Sequence, residues 1–243
     1  MTESQWYETT DLWEIYHRAL AFRVRKTDPY PQITRRVAVL IGLACLRATP
    51  QVQRQTFVLQ AMEVAEAAVE NNQWQLLDDF GPQAQQNCYD AVAHSGIDTA
   101  PHFWALAAFR LVDRGIELYG WHVPYFVLKA IRRAANIERM AQLFAHLLRD
   151  LLGNPFRGGR GEQFEKRRRK RCQTTFFPPW RTSDVMLLAQ GIYAERAFQR
   201  MPILADALQE AGCDDDAILS HLRDSSLLHD RGCWVIDLVL NRS

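Results

Sequence analysis

The sequence predicts an all-α protein: a multi-helix bundle with a small helical C-terminal unit packed on it. Three observations predict it. Apolar residues recur at spacings of three and four through most of the chain, which gathers them on one face of a helix. No run alternates polar and apolar residues as a half-buried strand would. Proline, glycine and small polar residues fall at helix-length intervals, where they stop one helix and start the next.

Taken in order, Thr10 is placed to cap a first helix whose stripe is Leu12, Ile15, Tyr16, Ala19 and Leu20. Asp28, Pro29 and Pro31 end it. A second helix from about Gln32 carries Val37, Leu40, Ile41 and Ala44 and breaks at Thr49-Pro50. Pro50 suits the first turn of a third helix running to near Asn71. Shorter helices are expected over Gln73–Phe80, Pro82–His94 and Pro101–Val112. Pro124 opens the longest, PYFVLKAIRRAANIERMAQLFAHLLRDLL, which Gly153-Asn154-Pro155 stops near Leu152. Four more are expected at roughly 184–198, 202–211, 215–223 and 231–240. The last includes WVIDLVL, rich in β-formers but without a partner strand, and so read as a short buried helix. Trp104, Phe109, Tyr193 and Trp234 are the expected buried aromatics.

Domain organisation follows from these breaks: a helical N-terminal region over 1–155, a basic linker over 156–181 and a helical C-terminal unit over 182–243. The linker stands out by charge. From Arg157 to Arg181 there are nine basic residues and two acids, a net of +7, leaving about −6 on the rest of a chain whose total is +1. Composition excludes several classes. Apolar residues at 48% and charged residues at 23% are ordinary for a folded domain and unlike a disordered chain. Five cysteines in 243 residues do not make a disulfide framework, and reduced thiols in a cytoplasm are expected. MTESQWYETTDLWEIYH lacks the basic start and apolar stretch of a signal peptide. The apolar run Val37 to Leu46 is half the ~20 residues that span a bilayer, so no membrane partner is expected.

No motif fixes a reaction. There is no phosphate-binding Gly-x-x-x-x-Gly-Lys loop, no Gly-x-Ser-x-Gly elbow and no His-Glu-x-x-His helix. Two places carry chemistry. The run Lys166, Arg167, Arg168, Arg169, Lys170 and Arg171 is a candidate phosphate contact. Phe164, Phe176, Phe177 and Trp180 flank it, and such rings can stack on unpaired bases at ~1–3 kcal/mol each. Binding of this kind would be non-specific and salt-dependent. The second place is Cys213, His221, His229 and Cys233, thiols and imidazoles of the kind that hold tetrahedral zinc, though without the short Cys-x2–4-Cys knuckle usual in structural sites. Against this stands a packing role, with Gly212-Cys213 at a helix end and Gly232-Cys233 at a helix start. Asp214-Asp215-Asp216 reads as a helix cap, and Glu63, Glu66 and Glu70 as a solvated face.

The segments LLRDLLGNPFR, DVMLLAQGIYAERAFQRMPILADALQEAGCDDDAILSHLR and HDRGCWVIDLVL together resemble the C-terminal signature of a family of bacterial, planctomycete-type helical proteins with no assigned activity. MTESQW and RRVAVLIGLACLRA…AMEVAEAAVE resemble its N-terminal half. The resemblance implies a soluble helical protein, occurring as divergent paralogues or attached to other modules. That pattern suits interaction or regulation better than metabolism. The chain departs from the family at Leu222, where a cysteine usually follows the histidine, and in the KRRRKR insert.

The expected function is therefore a non-enzymatic protein–protein interaction or regulatory module, with no catalytic residues, a protein partner and no cofactor. The alternatives are nucleic-acid association through 166–171 and zinc binding through the C-terminal cysteines and histidines.

Overall fold

The computed structural model describes residues 2–23, 34–113, 116, 122–131, 136–153 and 179–242. Among the described residues there are α-helices and short 3-10 turns and no strand. The all-α fold follows. The basic run Lys166–Arg171, and most of the 156–181 linker, lie outside these residues.

The chain divides into two compact units, Met1–Leu148 and Arg149–Ser243. The division falls inside a helix, ahead of the 155/156 boundary expected from sequence.

In the first unit α1 (Glu3–Glu8) precedes the expected first helix and opens with a capping box from Thr2. In α2 (Leu12–Arg23) the start is held by Asp11, not Thr10: its Oδ1 accepts from the Glu14 N–H at 3.0 Å. Then come α3 (Arg35–Arg47), capped by Thr34, and α4 (Thr56–Asn71). Pro50 heads a 3-10 turn, Pro50–Arg54, ahead of α4 rather than the first turn of α4 itself.

Two expectations are corrected here. The break at Gly81-Pro82 does not occur: α5 (Gln75–Ser95) runs straight through Pro82. An interior proline costs a helix about 3 kcal/mol. α5 packs along both α4 and α6 (Ala100–Val112), and tertiary packing overrides the local signal. Conversely, the long helix expected from Pro124 to Leu152 is two helices, α7 (His122–Ala130) and α8 (Ile137–Leu152). α3 lies so close to α6 and α7 that a Cβ on Gly42 would sit 2.7 Å from Leu111 and 3.3 Å from Val123. Trp104 is buried as expected, whereas Phe109 is only half-buried.

Among its described residues the second unit holds the last turn of α8 and the helices α9 (Ser183–Glu195), α10 (Met201–Glu210), α11 (Asp216–Arg223) and α12 (Trp234–Leu240). Thr182 caps α9, and Asp215 caps α11 by accepting from the N–H groups of Ala217 and Ile218. WVIDLVL is the short buried helix expected. α10 packs on α11, and α9 on α12. Trp180, Tyr193, Leu204, Leu208, Ile218, Leu222, Trp234 and Ile236 are among the apolar side chains that fill the core between them. The 224–233 connection between α11 and α12 has no regular structure, and its shape is set by side chains.

Candidate metal centre

Four side chains of the second unit with metal-ligand chemistry converge at one place. Asp150, His221, His229 and Cys233 each offer one ligand atom, and these atoms all lie within 4.8 Å of one another. Three elements supply them. Asp150 sits in the last turn of α8, His221 in the last turn of α11, and His229 and Cys233 on the connection that leads into α12.

The carboxylate is the hub. Asp150 Oδ1 accepts from His229 Nδ1 at 2.7 Å and lies 3.1 Å from His221 Nε2. Its Oδ2 accepts from the Asp230 backbone N–H at 3.3 Å. His221 Nε2 also lies 3.3 Å from Cys233 Sγ. The two imidazoles meet edge to face, with centroids 5.0 Å apart, and Trp234 packs 5.2 Å from His221. Water is largely excluded: the side chain of Asp150 is 0% exposed, His229 6% and His221 12%, and Cys233 is 0% exposed.

Burial by itself would push the Asp150 carboxyl up. The hydrogen bonds from His221 and His229, reinforced by their charge, outweigh it and hold the group well below the usual carboxylate range. Burial pushes the Cys233 thiol well above its ordinary value, and the neighbouring Asp150 carboxylate pushes it further. Such a thiol is not an activated nucleophile. The geometry argues the same way. A Cys-His-Asp relay needs the acid on one ring nitrogen and the thiol on the other. Here both face the same Nε2.

The sequence-predicted set meets this group in three of its four members. His221, His229 and Cys233 are brought together, and Cys213 is not. The residues following Glu210 form a Schellman end on α10: Gly212 adopts φ +91°, its N–H bonds to Gln209 C=O, and the Cys213 N–H bonds to Leu208 C=O. That turn aims Cys213 into the apolar core with Leu208. Asp150 takes the fourth place. Its signal in the sequence was an acid inside the apolar run LLRDLL, since a buried aspartate is rare unless paired. Leu222, next to His221, belongs to the same apolar core.

No protein-family model, curated protein or solved structure matches the chain.

Proposed function

We propose that the C-terminal unit is a zinc-binding module, with Asp150, His221, His229 and Cys233 as ligands and the ion in an architectural role. One observation carries the reading: one carboxylate, two imidazoles and one thiol, drawn from separate elements, converge within 4.8 Å in a nearly dry pocket. Zinc takes four nitrogen, oxygen and sulfur ligands at ~2.0–2.3 Å, which puts neighbouring ligand atoms roughly 3.3–3.8 Å apart in a tetrahedron. Contacts of 2.7, 3.1 and 3.3 Å would open by up to roughly 0.6 Å, and the widest pair, within 4.8 Å, would close by at most about 1 Å, to reach that spacing.

Charge supports a divalent ion. A carboxylate and a thiolate beside two neutral imidazoles sum to −2, so a +2 ion leaves the buried site neutral. Without an ion, burial and the Asp150 carboxylate keep the Cys233 thiol protonated, and a cation between the two would remove the repulsion that opposes the thiolate. The sulfur and two nitrogens favour zinc over calcium or magnesium, which prefer oxygen. Four protein ligands leave no open position for substrate, as in structural zinc sites.

The protein as a whole is then a non-enzymatic interaction or regulatory module whose C-terminal unit an ion makes rigid. Elemental analysis of the purified, untagged chain tests the metal reading directly, and about one zinc per chain is expected. Cobalt substitution should give the visible bands of a tetrahedral ion together with a thiolate charge-transfer band. A metal-free protein that takes up no cobalt, and whose melting temperature ignores a strong chelator, overturns the reading.

A further inference from the structure

Three of the four ligands are tied to one residue that is not itself a ligand. Asp230 uses its backbone N–H to bond Asp150 Oδ2 at 3.3 Å. Its carbonyl accepts from the Cys233 N–H at 3.0 Å. It also directly follows His229, so its backbone fixes where that imidazole starts. The placement of Asp150, His229 and Cys233 therefore depends on how firmly Asp230 is held.

Its side chain is what holds it. Asp230 Oδ1 accepts from the Arg231 N–H at 2.7 Å and from Arg196 Nη1 at 3.2 Å. Arg231 in turn anchors on the end of α9, donating to Tyr193 C=O at 3.1 Å and Ala194 C=O at 3.0 Å. Asp230 is itself buried, at 9% exposure.

Arg196 occupies an unusual backbone position. Among the described residues, four helix ends close with a left-handed residue followed by an N–H reaching back five residues: Asn72, Arg196, Gly212 and Asn241. Three of these residues are glycine or asparagine, which tolerate positive φ. The fourth, at φ +54°, is an arginine, which does not. A side chain kept where the backbone prefers glycine points to a use for that side chain. Its Nη1 donates to Asp230 Oδ1.

We infer that Asp230, held by Arg196, is the positioning residue of the metal centre, setting ion affinity without touching the ion. The inference rests on the metal-binding reading above. Outer partners that orient ligands change metal affinity by ~10–100-fold when removed, which is the scale expected here.

The test is a Co2+ titration of the full-length protein, followed by zinc competition. Arg196→Gly removes the guanidinium and relieves the left-handed backbone. It should weaken Co2+ binding by ~10–100-fold. Its charge-transfer band should stay in place at saturation, and the metal-free protein should melt no lower than wild type. Asp230→Asn keeps the backbone groups and should weaken binding in the same direction. Arg196→Lys should recover part of the loss. Arg200→Ala, which removes an exposed ion pair with Glu195, is the control and should bind as wild type. Wild-type affinity in Arg196→Gly overturns the inference while leaving the metal site standing. A fall in metal-free melting that accounts for the weaker binding also overturns it, because Arg196 would then serve the fold alone. A wild-type protein that binds no Co2+ defeats the metal reading itself.

Discussion

The dipeptides Gly212-Cys213 and Gly232-Cys233 are alike in sequence, in glycine φ (+91° and +95°) and in the burial of the cysteine. They differ in what comes next to the sulfur. Cys213 closes the end of α10 as a buried member of the unit's apolar core and does not join the group of four. Cys233 opens α12, with His221 Nε2 at 3.3 Å and a buried carboxylate beyond it. The same local chemistry thus yields a packing group at one end of the unit and a ligand candidate at the other. What separates them is tertiary: the second turn, unlike the first, meets the last turn of α8 and the end of α11.

The largest expected effect sharpens the contrast at the Cys233 side. With free zinc a thousandfold above its dissociation constant, the ion stabilises its unit by about 4 kcal/mol. Chelation should lower the unit's melting temperature by on the order of 20 °C, measured by calorimetry. Asp150→Leu comes next. It leaves two buried imidazoles without their acceptor and should cost about 3 kcal/mol in denaturant unfolding even without metal. The acid limb follows the same residue. A carboxyl held below its usual value contributes stability above roughly pH 3.9, and loses it as pH falls toward the lower native value. Asp150→Asn should flatten that limb in the metal-free protein.

The paired substitution is the most direct way to break the comparison. Cys233→Ala should lose the thiolate–cobalt band and about a hundredfold in affinity, or about 2.7 kcal/mol. Cys213→Ala should keep both and cost roughly 1 kcal/mol of packing. Equal effects on cobalt binding would show that the two turns are not different in kind. The smallest effect is at Gly212, where a Cβ meets nothing within 4 Å but φ is +91°. Gly212→Ala should therefore cost about 1 kcal/mol through the backbone alone and leave metal binding untouched.

Much of this unit was legible in its sequence. The cap residues Thr182 and Asp215, the glycine at the end of α10 and the period of the apolar stripes locate its helices to within a few residues. His221, His229 and Cys233 were visible as a composition of ligand types. Asp150 was marked only as an acid in an apolar run, and its pairing was not legible, because its partners lie 71 and 79 residues further on and no local spacing reports a contact at that range. The failures in the first unit share a cause. At Pro82 and after Ala130 local propensity points one way and the fold another. In the fold, neighbours on α4 and α6 carry α5 through its proline, while α7 and α8 end as separate helices.

Asp150 converges with residues that lie beyond the basic stretch, and Gly153 and Trp180, which flank that stretch, are both buried in the same unit. The group is therefore assembled from two pieces of chain that are remote in sequence, and its atoms come together only when both pieces are packed. Loosening the last turn of α8 would separate Asp150 from His221, His229 and Cys233 at once and undo the group as a whole.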